Sequence, residues 1–141
     1  MNAQLGISLG DVFFLRCTLC APPKDKFFVV VQTSPLRMVL INSERTEFAQ
    51  ASTAHVKAQP QIFASEHIFL THDSFVACDQ ISHEYSIEKL QAQLLRYPSI
   101  RRGKLHENAM RVVGPALCDN HLLPQKYVKD LKGIWVWTPT S

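Results

Sequence analysis

The chain lacks the short motifs that mark many enzymes. It has no glycine-rich phosphate-cradling loop ending in Gly-Lys-Ser/Thr and no dinucleotide-binding fingerprint. It also has no His-Glu-x-x-His helix and no Gly-x-Ser-x-Gly elbow. No window approaches the roughly 18 uninterrupted apolar residues of a membrane span. The N-terminal Met1–Gln4 stretch lacks the basic segment and apolar core of a signal peptide, so a cytoplasmic address is expected, with no membrane partner. Charge is sparse at 19% of residues, with a net +3. That balance excludes a disordered, charge-dominated chain and leaves ample apolar material for a core, at 46% hydrophobic residues. With 141 residues, one domain is expected over 1–141.

Cysteines number four: Cys17, Cys20, Cys78 and Cys118. Cys17 and Cys20 have the spacing of half a zinc site, but the other two stand alone. A strand running through Cys20 would point residues three apart to opposite faces; only a turn would let the sulfurs converge. The expectation is reduced, structural thiols, with no metal and no cofactor.

What is present is β-rich first and helical last. Val12–Leu15, Lys26–Gln32 and Met38–Ile41 read as strands joined by short connections, an antiparallel meander. The unbroken apolar run of the second suggests burial on both faces. Residues 44–60 read either as a short helix or as an irregular excursion. Ile62-Phe63, His67–Leu70 and 73–80 read as further strands. After Ser86, a helix cap, Ile87, Leu90 and Leu94 recur at helical spacing. Leu105–Ala116 suggests a second helix, kinked or broken at Gly114-Pro115, and Leu123-Pro124 with Gly133 brackets a third. The expected fold is mainly β with C-terminal helices: a curled antiparallel sheet over 10–82, helices over 86–133 and an apolar tail over 134–141.

Candidate chemistry centres on the segment His72–Gln80, read as a strand that ends in Cys78-Asp79-Gln80. Asp79 would either handle protons or order the strand–loop junction. His72 and His83 flank the segment, and each could act as a general acid or base near neutral pH or be a hydrogen-bonded surface residue. Arg96, Arg101, Arg102, Lys104 and Arg111 crowd a span whose one acid is Glu107. They would either meet phosphates or form a solvated loop and helix face. Trp135 and Trp137 would cover the core or form an interface.

Gly10-Asp11 before the first strand, the Val-rich second strand, the small polar end of the third, Cys78-Asp79-Gln80 and Arg102-Gly103-Lys104-Leu105 together resemble the PemK/MazF-like toxins of toxin–antitoxin pairs. The resemblance spans roughly residues 10–120. It implies an SH3-like barrel, a homodimer, an antitoxin partner and a metal-independent endoribonuclease acting on single-stranded RNA. It also implies catalysis through Asp79 with His72 or His83, and RNA contacts from Lys26, Ser43, Arg101 and Arg102. The chain departs from the family's pattern at two places. Lys26-Phe27 replaces Arg-Pro at the opening of the second strand, and Ala77 stands where an arginine precedes the matching Asp. Arginine and lysine are not equivalent as phosphate donors. Loss of one preorganised donor costs roughly 100- to 1000-fold in such chemistry. A catalytically silent barrel that binds RNA or a protein partner is therefore the competing expectation. On either reading, strand alternation would put Ala77 and Asp79 on one face, near Lys26 or Ser43.

Overall fold

The computed structural model describes residues 6–135. Strands β1 (Asp11–Cys17), β2 (Lys24–Thr33) and β3 (Leu36–Asn42) form the expected antiparallel meander. The excursion that follows holds two short helices, α1 (Glu47–Gln50) and α2 (Thr53–Ala58). Their N-termini are capped by the hydroxyls of Thr46 and Ser52, which accept from Ala49 N and His55 N. Strands β4 (Gln61–Ile62) and β5 (Ser74–Val76) return to the sheet. Helix α3 (Ile87–Arg96) follows, then β6 (Arg101–Lys104), α4 (Glu107–Cys118) and α5 (Gln125–Ile134). The result is a curled antiparallel sheet of six strands in the order β4-β5-β3-β2-β1-β6, a half-barrel with helices packed after it. Among the described residues, no helix is long and apolar enough to cross a membrane.

The sheet is buried on both faces because its central strand demands it. Phe28, Val29, Val30 and Val31 of β2 are all fully buried. Val29 and Val31 point with Val12, Val39 and Ile41 into a core closed by Val113 and Leu117 of α4 and Val128 and Leu131 of α5. Phe28 and Val30 point the other way, with Phe13, Leu15 and Met38, against Leu90 and Leu94 of α3. Ser86 caps α3 by accepting from Lys89 N at 3.1 Å, as its position predicts. Trp135 covers the first core rather than facing outward. It is 7% exposed, and its indole N–H donates to the Val31 carbonyl at 2.8 Å. Trp137 lies outside the described residues.

Three expectations need correction, and one open alternative is narrowed. The segment 101–104 is not part of a helical region. It is strand β6, which pairs with β1 across a bulge between Val12 and Phe13. Residues 67–70 form no strand, and β5 ends at Val76, so Ala77–Gln80 leave the sheet through a turn. Of the kink or break expected at Gly114-Pro115, the break is absent: α4 runs from Glu107 to Cys118 around Pro115. Finally, β1 stops at Cys17, and the turn after it brings the Cys17 and Cys20 sulfurs together at 2.7 Å.

The turn after α4 is held by a residue that no periodicity marks. Asn120 is 4% exposed. Its amide donates to the carbonyls of Cys78 and Ala116 at 2.8 and 3.1 Å. Its side-chain oxygen accepts from Leu122 N and Leu123 N at 2.8 and 3.3 Å. These bonds tie the Cys78-Asp79 turn to the α4–α5 connection. Asn120→Ala would strip partners from several buried backbone groups at once and should cost about 2–4 kcal/mol of stability. Urea unfolding checks this; a loss under about 0.5 kcal/mol, the range of ordinary surface changes, would contradict it.

Candidate nucleic-acid interface

Toward the Lys24–Phe27 end of β2 burial falls away, and three aromatic rings there are half-buried. The β1–β2 register sets Phe14 opposite Phe27, so the two share a face. Their ring centroids are 4.9 Å apart and tilted by 51°. Phe69, in the loop before β5, continues the row at 5.3 Å from Phe27. Gly103 of β6 makes room for it: at φ +154°, a Cβ there would lie 3.1 Å from the Phe69 ring. Beside Phe69, Ile68 is 99% exposed. Arg102 lays its guanidinium over Phe14, 4.7 Å from the ring centroid, and donates through Nε to the Ser99 carbonyl at 2.9 Å.

Phe14 and Phe27 run into a cavity of about 230 Å³ that three of the predicted residues share. Lys26, Ser43 and His72 all line it, together with Lys24 and Ser74. Lys26 Nζ donates to Asn42 Oδ1 across the β2–β3 pair. Burial holds its ammonium pKa below the ordinary lysine value. His72 is exposed. Its Nδ1 lies 3.1 Å from the Asp73 carbonyl oxygen and 3.3 Å from Ser74 Oγ. A proton on Nδ1 donated to that carbonyl leaves the Nε2 lone pair of a neutral ring available to take a proton. Asp73 has a structural task, accepting from Ala64 N at 2.9 Å.

The remaining predicted residues lie elsewhere. Arg101 is committed inward. Its Nη1 donates to Asp11 Oδ2 at 2.9 Å, its Nη2 to the Gly6 carbonyl at 2.7 Å, and its guanidinium covers Phe13. His83 stacks against Tyr127 of α5, with centroids 5.3 Å apart. Asp79 sits in the turn after β5, not on a strand face with Ala77, and lines neither of the cavities that Lys26 lines. Its Oδ2 accepts from Gln59 Nε2 at 2.9 Å, and its Oδ1 is buried without a hydrogen-bond partner. The adjoining Cys78 thiol is fully buried, and burial, with the Asp79 charge added, pushes its pKa far up, so it stays protonated. Ala77 is 5% exposed, and its N–H donates to the Leu40 carbonyl. An arginine at that position would be buried, so the missing cation cannot simply be restored there. Of the basic run, Arg111 pairs with Glu107 one helical turn away at 2.6 Å.

No protein-family model matches the chain, and no curated protein matches it.

The structure brings Lys26, Ser43 and His72 to one cavity, and beside it lies an aromatic row that the sequence expectations do not include. The signal for its first pair was present: both phenylalanines sit on neighbouring strands of a meander, and only the register was needed to face them. Arg101 and Arg102 should separate by experiment. Arg101→Ala leaves the Asp11 carboxylate, 6% exposed, without its guanidinium. It should cost about 3 kcal/mol, the low end for a broken buried pair because Arg101 is partly exposed. Arg102→Ala should change stability by less than about 0.5 kcal/mol. Equal losses for the two in chemical denaturation would contradict the division.

Proposed function

We propose that this protein binds single-stranded RNA across the Phe14–Phe27–Phe69 row, as an SH3-like barrel of the PemK/MazF-like type from a toxin–antitoxin system. One observation carries the reading. Three half-buried aromatic rings form a contacting row, with Arg102 over Phe14 and the Lys26–His72 cavity lined by Phe14 and Phe27. Base stacking on such rings is tolerant of sequence and is worth about 1–3 kcal/mol per base, and flanking cations track the phosphates. Lys26, Lys24 and Arg102 supply them, while Arg101 braces β6 against β1. In the cell the barrel works in the cytoplasm, as a homodimer held in check by an antitoxin protein.

A second reading, endoribonuclease activity, rests on His72. Its Nε2 would take the proton of a ribose 2′-hydroxyl while Lys26 faces the phosphate, a metal-independent transesterification. Asp79 has no part in this version, because its carboxylate is held by Gln59 at another place in the fold. Binding without cleavage is the reading the geometry favours. The cavity lacks the planar arginine donor that a dianionic transition state needs, and position 77 is too buried to provide one.

Fluorescence anisotropy with a labelled single-stranded oligonucleotide tests the binding. Phe14→Leu keeps the apolar volume and removes the ring; it should weaken binding about 5- to 100-fold with little change in stability. Lys26→Ala should lower the slope of log affinity against log salt by about 0.7, one phosphate on a single strand. Asp79→Asn should leave affinity unchanged. Only the ammonium form of Lys26 attracts a phosphate, so affinity should fall as pH rises through its lowered pKa, and Lys26→Ala should remove that fall. Salt-independent binding, or full affinity in Phe14→Leu, would contradict the proposal. Chelator-resistant RNA cleavage that disappears in His72→Ala would establish the second reading.

A further inference from the structure

We propose that Cys17 and Cys20 form a redox-active dithiol that exchanges with small-molecule disulfides through a cavity on the β1–β2 turn. The turn fixes both sulfurs at one place, 2.7 Å apart. It is anchored on both sides. Thr18 N donates to the two carboxylate oxygens of Glu84 at 3.2 and 3.0 Å, and the Tyr85 hydroxyl donates to the Arg16 carbonyl at 2.8 Å. Both cysteines line a cavity of about 260 Å³ that also holds Lys26, Asn42 and Gln80, so a reagent has room to approach. Among the described residues, no group of three or more His, Cys, Asp or Glu side chains is placed to hold a metal ion, so the pair lacks the ligands of a closed zinc site.

The two thiols differ in access, which assigns their roles. Cys17 is 3% exposed, and burial, with the Cys20 thiol beside it, raises its pKa. Cys20 is half-buried and borders the cavity. Cys20 is therefore the attacking thiol and Cys17 the resolving one. The Cys20 thiol gives its proton to water, and the thiolate attacks one sulfur of the small disulfide. That disulfide bond breaks, and one thiolate leaves and takes up a proton. The Cys17 thiol then gives its proton to water and attacks the Cys20 sulfur of the mixed disulfide. The second small thiol leaves, also protonated. Two protein thiols are oxidised to one disulfide, and one small disulfide is reduced to two thiols.

The test incubates the intact protein with glutathione disulfide, quenches with an alkylating agent under denaturing conditions and maps the thiols by mass spectrometry. The expected result is loss of two alkylatable thiols, a Cys17–Cys20 disulfide, free Cys78 and Cys118, and full recovery on adding reduced glutathione. Cys17→Ser should trap a stable glutathione adduct on Cys20. Cys20→Ser should form neither adduct nor disulfide at a comparable rate. Persistence of all the thiols in the wild-type protein would overturn the proposal. So would a wild-type adduct that Cys17 never resolves, or stoichiometric zinc on the pair in untagged protein.

Discussion

Burial of β2 on both faces is the constraint on which the other features depend. A strand whose middle is Phe28–Val31 cannot face water on either side, so the chain must supply two covers. It supplies α3 for one face and α4 with α5 for the other. Burial falls away at the Lys24–Phe27 end of the strand. The aromatic side chains there are anchored to the core at one side and open at the other. The proposed stacking surface lies where the burial of β2 runs out.

The two faces of β6 divide the work of its basic residues in a similar way. Arg101 and Arg102 are neighbours on a strand, so alternation sends them to opposite faces. One neutralises Asp11 beside the core, and the other lies over Phe14 in the open row. A charge count treats the two alike, although they differ in kind. The Gly103 that follows lets Phe69 lie close against the strand, so three consecutive residues of a short edge strand serve charge, ring contact and packing in turn.

Much of the fold could be read from local pattern. The meander, the doubly buried β2, the Ser86 cap and the Pro124 helix start all follow from spacing and residue type. Strand β6 could not be read, because Arg101–Lys104 has no apolar alternation and is a strand only by its pairing with β1, some ninety positions earlier in the chain. Asp79 was misplaced because strand parity was carried past Val76, where the sheet ends. The cysteine pair was misjudged for the mirror-image reason: β1 ends at Cys17, three residues before parity would have parted the sulfurs. Both errors concern where a strand stops, which depends on tertiary hydrogen bonds rather than on the residue pattern. Lys26, Ser43 and His72 share a cavity and sit at or beside ends of elements that periodicity does locate. Asn120 gave no sign, since an asparagine in a turn is unremarkable until its four partners are seen.

The claim that the RNA-binding surface lies where the burial of β2 runs out is tested most directly by titrating isotope-labelled protein with a single-stranded oligonucleotide and following amide and aromatic resonances. Shifts are expected at Phe14, Phe27, Phe69, Arg102 and the Lys26–His72 cavity, with α5 silent. Shifts centred on the helical faces, or none at saturating oligonucleotide, would contradict it.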